Sequence, residues 1–257
     1  MKIAISGKGG VGKSTIAGAL ALYFAQKGNK VLALDADPDA NLARALGIPD
    51  EEQKNIVPIS RQIALIEERT GAKVAQYGQI FKMNPEVKDV ADGYAYPYKG
   101  VSLLVLGAIK AGGSGCACPE NTFIKALVTD LVLYKNETLI MDMEAGIEHL
   151  GRATASGVDV MIVVVEPGQR SVDCAKTILR MTKEIGLKNV VLVGNKAANQ
   201  ADEDFIRDSL PGQEIITILP YSEAVRSADR DGKSVLDGND AVLSAKLQQL
   251  FAKIEDI

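Results

Sequence analysis

Short apolar runs of β type recur along the whole chain, and a stretch with helical periodicity lies between several of them. The runs are KIAIS (2–6), KVLALD (30–35), VSLLVL (101–106), TLIMD (138–142), VMIVVVE (160–166), NVVLVGN (189–195) and IITIL (215–219). Most are continuous rather than alternating, as in strands covered on both faces of a parallel sheet. STIAGALALYFAQKG (14–28) sets Ile16, Ala19, Leu20 and Phe24 on one stripe, with Gly28 as its stop signal. NTFIKALVTDLVLY (121–134), SVDCAKTILRMTKEIG (171–186) and DAVLSAKLQQLFAKI (240–254) read as helices too. Strand and helix in alternation predict an α/β fold: a doubly wound, mostly parallel sheet with helices on both faces. At 257 residues and 47% hydrophobic content, the chain reads as one domain, 1–257. Residues 47–100 break the rhythm. They are polar, hold a helical SRQIALIEERTG (60–71) and end in DGYAYPYKG, so they read as an insertion rather than a second domain.

Composition excludes several classes. Net charge is −4 and aromatic content 5%, with no tryptophan, so neither a basic nucleic-acid face nor a stacking platform is expected. MKIAIS opens directly into a strand with no secretory signal, and no apolar run is long enough to span a bilayer. A cytoplasmic protein is expected, with its three cysteines reduced.

Directly after the first strand comes GKGGVGKST, residues 7–15. Gly7, Gly12, Lys13 and Ser14 match the nucleotide-triphosphate loop, flanked by the strand and helix that motif requires. The types answer to chemistry. Glycines let the amides of Gly9, Gly10, Val11, Gly12, Lys13, Ser14 and Thr15 turn toward phosphate oxygens. Lys13 brings a cation to the β/γ-phosphates, and the Ser14 hydroxyl is a Mg²⁺ ligand. Gly7, Gly9 and Gly12 also satisfy the dinucleotide fingerprint, with Asp35 and Asp37 near its ribose-binding position. Lys13-Ser14-Thr15 decides for the triphosphate, since a dinucleotide site needs neither the lysine nor the hydroxyls. Lys8 adds a second lysine, which on charge alone is equally a solvent-facing side chain.

Carboxylates sit at strand ends. Asp35, Asp37 and Asp39 crowd LDADPDAN (34–41), a costly arrangement unless a cation or protons offset it; a turn that merely favours aspartate is the plain alternative. Asp142 ends TLIMD, where a Walker-B carboxylate holds Mg²⁺, and Glu144 and Gly146 follow in a segment suited to sensing the γ-phosphate. Asn195 ends VVLVGN, where its amide suits a base edge, although spacing alone makes it an ordinary turn residue. His149, the sole histidine, reads as an exposed helix residue.

GKGGVGKST with Lys8 resembles the deviant Walker-A ATPases, the group of septum-site, plasmid-partition and nitrogenase iron proteins. DADPDAN and DMEAG are similar to that group's two switches. The resemblance implies an ATP- and Mg²⁺-dependent homodimer. In it Lys8 reaches the partner's phosphates, Asp37 is the hydrolytic aspartate, and Asn195 and Pro220 of LPYSEA face the adenine. A membrane-anchoring last helix is disfavoured. Leu243, Leu247, Leu250, Phe251 and Ile254 form one stripe with few basic residues beside it, which suits a core-docked helix.

GAIKAGGSGCACPEN, MDMEAGIEHL and VVVEP together resemble the accessory ATPases that mature nickel carbon monoxide dehydrogenase, which have a close sibling for acetyl-CoA synthase. That resemblance implies Ni²⁺ or Zn²⁺ on Cys116 and Cys118, and a nickel enzyme as client. C-x-C by its spacing is a weak motif, so the two thiols alone leave a metal site and an incidental pair equally open. In an extended segment, residues two apart share a face with Cα atoms roughly 7 Å apart. Two thiolates on one tetrahedral ion stand roughly 3.8 Å apart, within reach of converging side chains. Two ligands fall short of the usual four, and a two-fold axis would supply the other pair. Cys174, on a helical apolar stripe, reads as a small buried hydrophobe. Two other functions remain open: an ATP-gated electron donor with a cluster bridging the dimer, and a nucleotide switch that recruits a partner through 47–100 and the YAYPY tyrosines.

Overall fold

Five strand ends meet along one edge of a twisted sheet, and that edge organises the molecule. The computed structural model describes residues 1–74, 76, 78–108, 118–147 and 150–257, without the side chains of 152 and 153. The first half of the described chain runs β1 (Lys2–Gly7), α1 (Lys13–Gln26), β2 (Val31–Asp35), α2 (Leu42–Ala45), α3 (Asp50–Gln53), α4 (Ile63–Thr70), α5 (Val90–Tyr94), β3 (Tyr96–Tyr98) and β4 (Val101–Val105). It continues through α6 (Pro119–Tyr134), β5 (Thr138–Asp142), α7 (Arg152–Ala155), β6 (Val160–Val165), α8 (Gln169–Ile185), β7 (Val190–Ala197), α9 (Gln200–Ser209), β8 (Ile215–Pro220), α10 (Glu223–Arg230) and α11 (Ala241–Glu255). Strand order is β3-β4-β2-β5-β1-β6-β7-β8. Every pairing is parallel except that of β3 with β4. The doubly wound α/β fold expected from the sequence is therefore the fold observed.

The continuous apolar runs are explained by two covered faces. Along each strand, successive side chains alternate between them. Ile3, Ile5, Val31, Ala33, Ile140, Ile162 and Val164 pack with α1 and α11. Ala4, Leu32, Leu34, Leu139, Met141, Met161 and Val163 pack with α4, α6 and α8 on the other face. Burial of such a side chain contributes about 1.5–3 kcal/mol. Central strands with no polar face therefore have one stable position, inside.

Helix α1 departs from the single apolar stripe read from its sequence. Ile16, Ala17, Ala19, Leu20, Ala21, Leu22 and Phe24 are all buried. It lies between the sheet and the helices α2 and α11, so nearly its whole circumference is covered. Gly18 permits the approach of α2, since a Cβ there would meet the Ala45 backbone at 3.0 Å. The last helix, α11, docks in the core: Leu243, Leu247, Leu250, Phe251 and Ile254 are buried, and Phe251 stacks on Tyr23 with ring centroids 4.3 Å apart. Among the described residues no helix is long and apolar enough to cross a membrane.

The irregular stretch 47–100 supplies α3, α4, α5 and the edge strand β3. Pro97 sits in β3, where an edge strand tolerates its missing N–H. Two of the YAYPY hydroxyls are committed within the chain: Tyr96 Oη donates to Glu52 (2.8 Å) and Tyr98 Oη to the Gly47 carbonyl (2.6 Å). They fasten the start of the stretch to the sheet edge, which leaves only Tyr94 of the three substantially exposed. Helices α9 and α10 and strand β3 have no counterpart in the sequence reading. Both helices present mostly polar residues, with one buried side chain each, Ile206 and Ala228.

Candidate functional site

Parallel register brings the strand-end residues together. Ile5 and Asp35 both pair with Asp142, Asp35 pairs with Val105, and Gly7 pairs with Val164. The segments that leave β1, β2, β5, β6 and β7 thus emerge side by side at the carboxyl edge, where open α/β sheets bind ligands.

The loop after β1 is shaped by its glycines. Gly7 has φ +152°, and a Cβ on it would meet the Val164 carbonyl oxygen at 2.5 Å. Gly12 has φ +99° and caps α1 without any side-chain hydrogen bond, so the first amides of α1 are left for an anion. A Cβ on Gly12 would collide with the Asn195 side chain, whereas Gly9 and Gly10 face open space. Lys13 is almost wholly buried, with Nζ 3.7 Å from Asp37 Oδ2. A buried ammonium beside glycine amides and a helix N-terminus has the chemistry of a polyphosphate cradle. Gly9, Gly10, Lys13, Ser14, Thr15 and Asp37 line a cavity of about 270 Å³. It adjoins a second, of about 80 Å³, bordered by Asn195, Lys196, Pro220, Tyr221 and Arg226 among several apolar side chains.

The three aspartates after β2 separate. Asp35 is fully buried and accepts from the amides of Leu42 (2.9 Å) and Asp37 (3.2 Å). Burial first, then the charge of Asp142, push its carboxyl up to about 7. Asp37 faces Lys13 and also accepts from the Asp39 amide at 3.0 Å. Asp39 lies on the cavity rim, exposed. Asp35 therefore does the turn-holding work, and Asp37 meets the cavity.

Asp142 is as buried as Asp35 but has no such support. Neither oxygen makes a hydrogen bond in the structure, although the Ser14 hydroxyl faces it closely. Desolvation pushes its carboxyl up to about 6, opposed by Ser14 and Lys13. An orphaned buried carboxylate beside a hydroxyl is costly as it stands and fits a hard cation with oxygen ligands. The residues present thus suit Mg²⁺, which Ser14 and Asp142 would hold. The segment after β5 is tied down by Ser6, whose single hydroxyl proton is shared between the carbonyls of Glu144 and Gly146, each 2.8 Å away, while its Oγ accepts from the Gly146 amide at 3.2 Å.

Asn195 lines the second cavity, and its Nδ2 also donates to the Val11 carbonyl at 2.7 Å, bracing the phosphate loop. Lys8 Nζ lies 3.3 Å from Glu166 Oε1, and Lys196 Nζ lies 3.7 Å from Glu166 Oε2. Lys196 also donates to the Gly10 carbonyl and holds a left-handed backbone, φ 62°. Ser6, Glu166 and Lys196 were not singled out by sequence reasoning. Glu166 and Lys196 follow the rule that flagged Asp142, a polar residue at the carboxyl end of an apolar strand. Ser6 carried no such signal.

Cys118 precedes α6 in extended backbone, and burial pushes its thiol up while the Asn121 amide opposes. Cys116 lies outside the described residues, as does His149. Cys174 packs against the α6–α8 face of the core. The segment leading to the C-x-C pair is joined to the nucleotide edge: the Leu106 amide donates to the Asp35 carbonyl at 2.9 Å.

A family model for the CobQ/CobB/MinD/ParA nucleotide binding domain, CbiA, matches residues 2–235. The carbon monoxide dehydrogenase accessory protein CooC of Rhodospirillum rubrum is 41% identical over 237 residues, covering 92% of this chain and 90% of that protein. An uncharacterized ATP-binding protein of Methanocaldococcus jannaschii is 42% identical over 260 residues, covering 100% of this chain and 99% of the other. Among solved structures, the MinD cell division protein of Aquifex aeolicus superposes with a TM-score of 0.68 at 22% identity, covering 99% of this chain and 97% of that one. A ParA family ATPase from Chlorobium tepidum gives 0.69 at 20% identity, covering 98% and 97%. These structural likenesses extend the agreement in fold. With its phosphate loop, its buried strand-end carboxylates and a family match over most of its length, the chain belongs to the CobQ/CobB/MinD/ParA nucleotide-binding family and is similar to the CooC accessory protein.

Proposed function

We propose that this nucleotide-binding protein hydrolyses ATP and uses the cycle to carry nickel, or zinc, on Cys116 and Cys118 for insertion into carbon monoxide dehydrogenase or acetyl-CoA synthase. The observation that carries the reading is the Leu106–Asp35 hydrogen bond. It extends the β2–β4 ladder and sets the strand that leads toward the C-x-C pair beside the strand that presents Asp37, which supports a link between nucleotide and metal. Similarity to CooC supports the choice of client and metal.

The residues divide the chemistry as follows. Lys13 and the amides of 9–15 neutralise the β/γ-phosphates, the preorganised electrostatics on which phosphoryl transfer depends. When bound, Mg²⁺ would shield charge between the β- and γ-phosphates, with Ser14 and Asp142 holding it. Lys13 exchanges Asp37 for phosphate as ATP enters, which frees the Asp37 carboxylate to orient water. That water attacks the γ-phosphorus, the bond to the β-phosphate oxygen breaks, and ADP and phosphate leave with the water's proton released to solvent. Asn195 and Pro220 border the adenine.

Each chain carries half of the soft-metal site. A homodimer closed over ATP, with Lys8 reaching across, completes four thiolates, and hydrolysis separates them. Thiols must lose protons to bind, and burial raises the Cys118 thiol, so affinity rises with pH. Metal stoichiometry against oligomer size tests the reading, with and without nucleotide. One ion per two chains, lost in Cys116→Ala/Cys118→Ala, is expected; one ion per single chain defeats the shared site. Iron and labile sulfide in equal amounts would instead indicate a cluster-bearing electron donor.

A further inference from the structure

Three lysines reach the phosphate loop, and each is already bound to something. Lys13 pairs with Asp37, a residue inside the cavity. Lys8 and Lys196 converge on one carboxylate outside it, Glu166, at the end of β6. Glu166 is itself held, because its amide donates to the Ser171 hydroxyl at 3.0 Å, in the first turn of α8. Lys196 adopts a left-handed backbone, uncommon for a residue with a side chain, and its ammonium spans from Glu166 to the Gly10 carbonyl. Glu166 thus binds the second loop lysine to its own subunit. It does not line the cavity with Lys13.

We propose that Glu166 is a positioning residue that latches Lys8 in cis, so that ATP-driven pairing of two chains must exchange the Lys8–Glu166 ion pair for a contact between Lys8 and the partner's phosphate. This rests on the ATP-driven pairing proposed above. An ammonium cannot satisfy both anions in full, so the contact seen here opposes the one made across the dimer. Lys196 keeps Glu166 in place and neutralised after Lys8 leaves, which lowers the cost of release. The latch makes the triphosphate the deciding ligand: ADP lacks the phosphate that outcompetes Glu166, and the chain stays single.

Dimer dissociation constants in ATP, measured by sedimentation for wild type and Glu166→Gln, test this. A part-exposed ion pair is worth about two- to fivefold per subunit, and two are broken per dimer, so the variant should pair about 4- to 25-fold more tightly. Its affinity for ADP as a dilute single chain should stay within about twofold, since Glu166 lines neither cavity and Lys196, which borders the smaller one, keeps its bond to the Gly10 carbonyl. Glu166→Asp, shorter by one methylene, should pair about two- to fivefold more tightly and decides the matter if the glutamine variant does not fold. Unchanged pairing in a folded variant overturns the latch, as does an ADP affinity that shifts along with pairing, which would indicate a distorted loop. Wild type that stays single in ATP overturns the pairing reading itself, and the latch with it.

Discussion

Asp35 and Asp142 stand side by side, paired in register at the ends of adjacent strands, and both are completely buried. Burial raises both, to about 7 and about 6. Yet Asp35 accepts two backbone amides while Asp142 accepts none. The contrast separates two uses of the same residue at the same depth. Asp35 exchanges part of its hydration for amides that fix the turn toward α2, which offsets some of the cost, although burial and the charge of Asp142 still hold its carboxyl above that of Asp142. Asp142 is left in deficit, and a deficit of that kind is relieved by a ligand. Substitutions at the two positions should therefore differ in what they cost.

The largest difference is expected in hydrolysis. Asp142→Asn should lower Mg²⁺-dependent ATP turnover by about 10²–10³-fold, whereas Asp35→Asn should stay within about tenfold of wild type. Equal losses in steady-state phosphate release would erase the distinction.

Acid dependence comes next, in nucleotide-free protein with chelator. Because the folded-state value of Asp35 lies above its unfolded one, the folded protein binds the extra proton. Its stabilising contribution is complete at low pH and is lost as pH rises through about 7. Between about pH 5 and about pH 8 the unfolding free energy of wild type relative to Asp35→Asn should fall by on the order of 2–3 kcal/mol, read from urea melts. A flat difference would mean that Asp35 is not raised.

A smaller effect belongs to Asp142. Removing its orphan charge should stabilise the nucleotide-free protein by about 1–3 kcal/mol at about pH 8, and Mg²⁺-nucleotide should no longer add its share. Destabilisation of the empty protein by Asp142→Asn would show that the carboxylate is already satisfied. The smallest change sharpens the surroundings of Asp142. Ser6→Ala, which removes the hydroxyl shared by the carbonyls of 144 and 146, should cost about 1 kcal/mol in the same melts.

Much of this site was legible before any coordinates. GKGGVGKST names its own chemistry because glycine, lysine and serine at those spacings have few other uses together, and TLIMD ends in a carboxylate at the expected edge. Which of Asp35, Asp37 and Asp39 meets the cavity was only partly legible: three carboxylates within five residues look alike until the Leu42 amide claims one of them. Helices α9 and α10 escaped notice because they are short and mostly polar, each burying one side chain, so they lack the run of apolar residues by which the longer helices were recognised. The single stripe assigned to α1 was too narrow, since a helix covered on two sides needs apolar residues all round.

Local residue pattern by itself determined the α/β class, the strands buried on both faces, the phosphate loop and the apolar stripe of α11. Those properties depend on neighbours a few residues apart, and period and composition record them. Only the tertiary structure decided that Asp142 is orphaned while Asp35 is not, that Asn195 braces Val11, and that Lys8 and Lys196 share Glu166. Each of those depends on partners brought together by the parallel register of strands distant in sequence, as with Lys8 and Glu166, 158 residues apart. No local pattern encodes such pairings, because their energies exist only once the sheet has closed around them.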